Sequence, residues 1–399
     1  MVETRHRSSV IGMHAELIAI GSELVLGEIV DTNSAHIART LRTVGVEVER
    51  FSAIGDEVGR IAALVREAAG RAAIVITTGG LGPTVDDPTR AAIAQAFGRD
   101  LEYRPELWQQ IEDRFRRFGR TPTENNRQQA YVPAGALPLE NPVGTAPCFI
   151  VEHAGGVVIA LPGVPREMEH MLSTRVLPYL REKFALTGVI KARVLRTVGV
   201  GESMIDVEIG EFERLANPVV GLAAHAGAVD IRITARAESE AEADGLIAPV
   251  ESRIRARLAE KFGDVIYAED AATLEESVAQ RLAERGASLA ITEDGAQGRL
   301  NARLATLAQA AQVYRGAAPL NGTQSLAEAA RQVRTQRGAE LGLALRVTVT
   351  GEKRTIEVAL AEGGEVHEHR QTYGGALTNL SQWATTVALN FLRLRLAKP

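Results

Sequence analysis

The stretch "ITTGGLGPTVDD", residues 76–87, decides the fold. It follows Ala72-Ala73-Ile74-Val75-Ile76, an unbroken apolar run that predicts a strand buried in a sheet. A helical pattern opens just after it, near Pro88-Thr89-Arg90. The stretch is therefore a strand-to-helix turn. Glycines in such a turn let the backbone approach a ligand closely. Adjacent carboxylates at Asp86 and Asp87 cost stability unless something cationic sits on them, so phosphate and metal are the first chemistry to test.

The pattern upstream has the same grammar. "AELIAIG" is an apolar strand ending at Gly21. "DTNSAHIARTLRTVG" has Asp31 or Thr32 as helix cap, apolar Ile37, Leu41 and Val44, and Gly45 as a stop. "VEVERFSAIG" reads as a strand and "EVGRIAALVREAAG" as a helix. Strands alternating with helices predict a parallel, doubly wound sheet. Ligands in such sheets bind beyond the carboxyl ends of the strands. "GSELVLGEIVDTN", "GDE" at Gly55–Glu57 and "TTGGLGPTVDD" therefore face one crevice.

Downstream come a helical "PELWQQIEDRFRRFG", a polar "RTPTENNRQQAYVP" and a turn-rich "LPLENPVGTAPCFIV". A strand, a Pro-Gly-Val-Pro turn and a helix from Pro165 to about Phe184 close this α/β domain. A second, smaller α+β unit begins near Ile190, and a third, α/β unit near Ala272. The boundaries read as an arm over 1–13, then domains at 14–186, 187–269 and 270–399.

With 399 residues, two or three domains are expected. Fifty acidic against 45 basic residues argue against a general nucleic-acid binder. The one cysteine, Cys148, excludes an intrachain disulfide or a thiolate zinc site and fits a reducing cytosol. No apolar run is long enough to span a membrane, and the first twelve residues lack the apolar core of a secretory signal. A cytoplasmic protein is the expectation.

Thr78, Gly79, Gly80, Gly82 and Thr84 can offer backbone N–H groups and hydroxyls to a phosphate, although a tight connection explains the glycines as well. One aspartate suffices to cap the following helix. Asp86 and Asp87 together, with Asp56 and Glu23 at other strand ends, supply the hard oxygen ligands that a Mg²⁺-type ion takes beside phosphates. Arg127 can reach a phosphate and Asn126 can read a base or ribose, unless the segment is a solvated helix start. Asn141, Gly144 and Thr145 in "NPVGTAP" can bring backbone and a hydroxyl to a ligand.

Taken in order and spacing, "GSELVLGEIVDTNS", "TTGGLGPTVDDPTR", "NRQQAYVPAGA", "NPVGTAP" and "LPGVPREM" resemble the CinA family, the competence/damage-inducible proteins of bacteria. The resemblance is close from about Met13 to Asp270 and holds only in outline beyond. It implies a MoaB/MogA-like, molybdopterin-binding fold in the first domain and a KH-like connecting module after it. It also implies a metal-dependent pyrophosphatase that cuts ADP-ribose to AMP and ribose 5-phosphate. The cofactor would be a divalent metal, Mg²⁺ or Co²⁺, with a monovalent cation as an optional companion. Asp56, Asp86 and Asp87 would hold the metal, and Glu23 is the candidate base. Asp56 and Asp87 resemble the functional aspartates of related molybdopterin enzymes. Cys148 stands where relatives have glycine, and reads as a packing substitution. The family resemblance also implies a homodimer.

The glycines of "VGVGES" suggest the backbone clamp of a KH module. The loop carries no basic residue, and Glu202 would repel phosphate, so a spacer or dimerisation module is expected, with no direct nucleic-acid contact. The third domain resembles the CinA C-terminal amidohydrolase of nicotinamide mononucleotide, with three departures. The nucleophilic serine of a Glu-Ser-Cys-Thr-Gly-Gly turn is replaced by Asp294 in Glu293–Gly298. The tyrosine–lysine segment offers Tyr314 without a lysine, and a Gly-Ile-Ala-Gly-Pro loop is absent. A lost deamidase is the expectation. A non-catalytic nucleotide or molybdopterin sensor, and a still active deamidase, are the alternatives.

Overall fold

The computed structural model describes residues 13–84, 86–307, 310–320 and 324–397. The chain forms two compact units. The first runs to Lys191 and includes Arg236–Asp244, and the second comprises Ala192–Ala235 and the chain from Gly245. The expected arm over 1–13 lies outside the described residues except for Met13, which opens the first strand.

The first unit is built on β1 (Met13–Ile20), β2 (Val46–Ile54) and β3 (Ile74–Thr78). A short pair, β4 (Leu101–Tyr103) and β5 (Tyr131–Pro133), stands apart from the main sheet. The main sheet is completed by β6 (Leu137–Leu139), β7 (Cys148–His153) and β8 (Gly156–Leu161), in the order β2-β1-β3-β8-β7-β6. Its first four strands are parallel, β7 runs antiparallel to β8, and β6 runs antiparallel to β7. The sheet is thus mixed: β2-β1-β3-β8 is the parallel, doubly wound part expected, and an antiparallel edge is added to it. The signal was "HAGG", the two-residue hairpin turn between β7 and β8, hidden in a segment that read as loop.

Ile74 and Ile76 face one apolar layer, with Ile37, Leu41 and Met171, while Val75 faces the other, with Ile61, Ile93 and Phe149. Burial on both faces is why the run is uninterrupted rather than alternating. The helix from Pro165 to Phe184 is one rod with a π turn at Leu172–Val176. Pro178 follows that turn, and lacking an N–H it cannot complete an ordinary ladder there.

The second sheet joins β9 (Val189–Val198), β10 (Val219–His225), β11 (Ala228–Ala237) and β12 (Ile266–Glu269) in the order β10-β11-β9-β12. The third has β13 (Leu289–Asp294), β14 (Tyr314–Ala317), β15 (Leu341–Thr350), β16 (Lys353–Glu362) and β17 (Glu365–Thr372), ordered β14-β13-β15-β16-β17. β13 runs parallel to both neighbours, so this sheet is mixed too. Arg299–Ala305 and Ala310–Val313 are helical. The closing helix Leu377–Leu396 packs Ala384, Ala388, Leu389 and Leu392 into this core.

Candidate active site

β1 lies between β2 and β3, so the chain leaves it once to each side. That is the topological switch point, where the turns after the strands part and leave a crevice. Gly21, Gly55 and Gly79 follow β1, β2 and β3 and open there on a cavity of about 950 Å³. Six carboxylates line it, those of Glu23, Asp31, Asp56, Glu57, Asp86 and Asp87, against one guanidinium, that of Arg60. The crevice is strongly negative.

Four of these carboxylates are engaged by the fold. Asp31 caps its helix by accepting from the Ser34 N–H at 2.9 Å. Glu57 accepts from the Gly59 and Arg60 N–H groups at 2.9 and 3.0 Å. Asp56 Oδ2 accepts from the Ser22 N–H at 2.8 Å and ties the β1 turn to the β2 turn. Asp87 folds back into the glycine turn. Its Oδ1 accepts from the Gly82 N–H at 2.7 Å, and its Oδ2 from the Thr84 N–H at 2.8 Å and the Thr84 hydroxyl at 2.6 Å. The side chains of Glu23 and Asp86 make no hydrogen bond or ion pair to another described residue, and both residues line the cavity.

The glycines have reasons of their own. Gly79 has φ +105, and a Cβ there would collide with the Ile20 carbonyl. Gly80 has φ +63, and a Cβ there would strike the Thr89 hydroxyl, which donates to the Gly79 carbonyl at 2.8 Å. A Cβ on Gly82 would meet the Asp87 carboxylate. The close approach that these residues permit is first that of the protein to itself.

Two residues overlooked in the sequence hold the turn. Arg90 is buried, and its Nη2 donates to the Leu81 carbonyl at 2.6 Å. Burial pulls its pKa down to about 10, against the opposing pull of Asp87, so it stays charged at neutral pH. The signal was an arginine in a helix whose other residues are mostly small and apolar. Asn33, one residue past the Asp31–Thr32 helix start, donates to Thr78 Oγ1 at 3.1 Å and to the Gly163 carbonyl at 2.8 Å. Its buried Oδ1 has no partner among the described residues.

Other expected ligand contacts lie elsewhere. Asn126 is buried, and its Oδ1 accepts from the Thr123 N–H and hydroxyl at 2.9 and 3.0 Å. Arg127 lies over the Tyr103 ring at 5.2 Å. Asn141 accepts from the Val143 and Gly144 N–H groups and donates to Glu167 at 2.7 Å. None of these, nor Thr145, lines the crevice. Gln128 instead braces the turn, donating to the Thr84 carbonyl at 2.9 Å. Cys148 is buried, and burial pushes its thiol pKa up.

In the third sheet, Glu293 accepts from the Leu300 and Asn301 N–H groups at 3.3 and 2.9 Å. Asp294 is exposed, with Arg346 4.0 Å away, and Tyr314 donates to Asn301 Oδ1 at 2.7 Å. The turn from Glu293 to Gly298 carries no hydroxyl, thiol or amine side chain.

The fold and crevice define a molybdopterin-binding-type α/β domain joined to a small KH-type module. Residues 16–182 match the family described as "Probable molybdopterin binding domain", and residues 192–262 match "Damage-inducible protein CinA KH domain". A protein of Halothermothrix orenii, provisionally named a competence-damage inducible protein, is 34% identical over 97% of this chain and 99% of its own. A CinA-like protein of Kosmotoga olearia is 39% identical over 76% of this chain and 72% of its own. The crystal structure of a CinA protein of unknown function from Thermoplasma acidophilum is 34% identical, covering 43% of this chain and 98% of that one, with a TM-score of 0.39. The chain belongs to the CinA family of competence/damage-inducible proteins. Among the described residues, no helix is long and apolar enough to cross a membrane.

Proposed function

We propose that the crevice hydrolyses the pyrophosphate of ADP-ribose or a related nucleotide in a metal-dependent reaction. The observation that carries this reading is the six-to-one excess of carboxylates at the switch point, with Glu23 and Asp86 uncommitted. A doubly charged pyrophosphate would be repelled there, by about 1 to 4 kcal/mol per charge pair at 4 Å depending on screening. A cation removes that barrier.

The donors suit a hard divalent ion. Asp86 and Asp56 present carboxylate oxygen to the cavity, and the orphaned Asn33 Oδ1 can accept from a bound water or ligand hydroxyl. Among the described residues, no three His, Cys, Asp or Glu side chains gather as a ready-made cage. The ion would thus take much of its shell from water and substrate phosphate, as Mg²⁺ commonly does. Bound there, it would neutralise the leaving phosphate and make water more acidic. Asp86 is assigned as the direct ligand, with Asp56 beside it. Asp87 organises the turn. Glu23 takes the proton from the water whose oxygen attacks phosphorus as the bridging P–O bond breaks. The products are AMP and ribose 5-phosphate. Arg60 at the rim faces the phosphate charge.

The third sheet is read as an amidase-like domain without its nucleophile, because the turn holding Asp294 offers no acyl acceptor of the usual kind. The test is AMP release from ADP-ribose with Mg²⁺, Co²⁺ or chelator, beside ammonia release from nicotinamide mononucleotide. Metal-dependent AMP and no ammonia are expected. Binding of ADP-ribose without turnover under any metal would replace the hydrolase with a sensor.

A further inference from the structure

A second cavity, of about 370 Å³, lies within the second unit between the Val198–Gly201 loop and the closing helix Leu377–Leu396. Its size falls in the lower part of the range for small-molecule sites, which favour junctions between modules. No residue of the Glu293–Gly298 turn lines it, so it is separate from the amidase-like turn.

Its chemistry is specific. No Asp, Glu, Lys or Arg lines it among the described residues. The walls are aromatic on the helix side. Trp383 is braced by Tyr373, with ring centroids 5.3 Å apart, and Phe391 stacks with His369 at 5.8 Å with an angle of 23° between the rings. Polar edges are few and placed. His369 Nε2 pairs with Gln371 Oε1 at 3.2 Å. The Asn390 carbonyl oxygen accepts from Arg393 Nε at 3.1 Å, which fixes that amide with its NH₂ toward the glycine loop. Gly199, at φ +82, admits the Asn390 amide, since a Cβ there would come within 3.0 Å of its nitrogen. The glycine loop expected of a nucleic-acid clamp is thus turned to a helix of its own chain.

We infer that this cavity binds a neutral, flat heteroaromatic molecule of the nucleobase class. Aromatic walls recognise a planar ring. The His369, Gln371 and Asn390 groups offer both donors and acceptors to its edge. The lack of a lining cation disfavours a phosphorylated form of the same base. This inference is independent of the pyrophosphatase reading.

The test uses Trp383 as reporter. The chain has two tryptophans, so Trp108→Phe leaves Trp383 as the sole emitter. Titration of this full-length protein with adenine is expected to change Trp383 emission saturably, and AMP to act at least tenfold more weakly. Val387→Phe fills the cavity and is expected to abolish the saturable change while the protein still melts cooperatively. Should that variant not fold, Asn390→Asp replaces an amide donor with a carboxylate and is expected to weaken adenine at least tenfold. The inference is overturned by no saturable change at millimolar adenine, by AMP binding as well as adenine, or by a response that survives in the folded variant.

Discussion

Asp87→Ala separates the two roles that a carboxylate can play in the crevice. In this structure both oxygens of Asp87 point into the turn and accept three hydrogen bonds, from the Gly82 N–H, the Thr84 N–H and the Thr84 hydroxyl. A hydrogen bond to a charged group contributes about 1.5–3 kcal/mol, but the three share one partly exposed carboxylate and do not add. Their joint loss is expected to cost about 2–4 kcal/mol. At roughly 2–4 °C per kcal/mol for a unit of this size, the melting midpoint should fall by about 4–16 °C. The assay is thermal unfolding of the Trp383→Phe protein, in which Trp108 reports on the first unit. Asp87→Asn retains one amide oxygen as acceptor and should fall between wild type and alanine. Turnover should drop in step with the disordered turn. If Asp87→Ala melts within about 1 °C of the parent while AMP release vanishes, its oxygens serve a ligand and the turn-organising role is wrong.

Asp86→Asn should leave the melting midpoint unchanged, because Asp86 is exposed and bonds to no described residue. Its AMP release should fall at least tenfold and need more metal, read as the metal concentration for half-maximal rate. Gly79→Ala should destabilise the first unit by about 2–4 kcal/mol, from positive-φ strain and collision with the Ile20 carbonyl, as measured by urea unfolding. In the second unit, Asp264 faces the buried Arg393 at 2.9 Å and Arg281 at 3.0 Å. Burial alone would raise the Asp264 pKa, but bonds from Arg393 and Arg281 outweigh it and hold the carboxyl below its usual range. A depressed folded pKa stabilises fully above the unfolded value of 3.8 and loses that stabilisation as pH falls through the folded one. Asp264→Asn should therefore cost about 1–3 kcal/mol near neutrality, discounted for the partial exposure of Asp264, and should flatten the acid limb of a denaturation series below about pH 4.

The candidate site was legible in part. The crevice could be anticipated from strand–turn–helix grammar alone, and Glu23, Asp56, Asp86 and Asp87 all line it. Gly82, Thr84, Asn126, Arg127, Asn141, Gly144 and Thr145 do not, and polar residues in turns often serve their own backbone. The Asn126 and Asn141 side chains accept N–H groups two or three residues away. Arg90 and Asn33 escaped notice because a polar residue inside a helix ordinarily reads as solvated, and only burial reveals its task.

Local pattern determined the alternation of strands and helices, the helix cap at Asp31, and the ligand end of the first sheet. These follow from hydrophobic period, capping chemistry and the handedness of crossovers, which are properties of neighbouring residues. Tertiary structure alone decided the reversal at β7, the commitment of Asp87 to its own turn and the freedom of Asp86. Two adjacent aspartates are chemically identical in sequence. They are told apart only by which one the fold supplies with N–H donors and which it leaves facing the cavity.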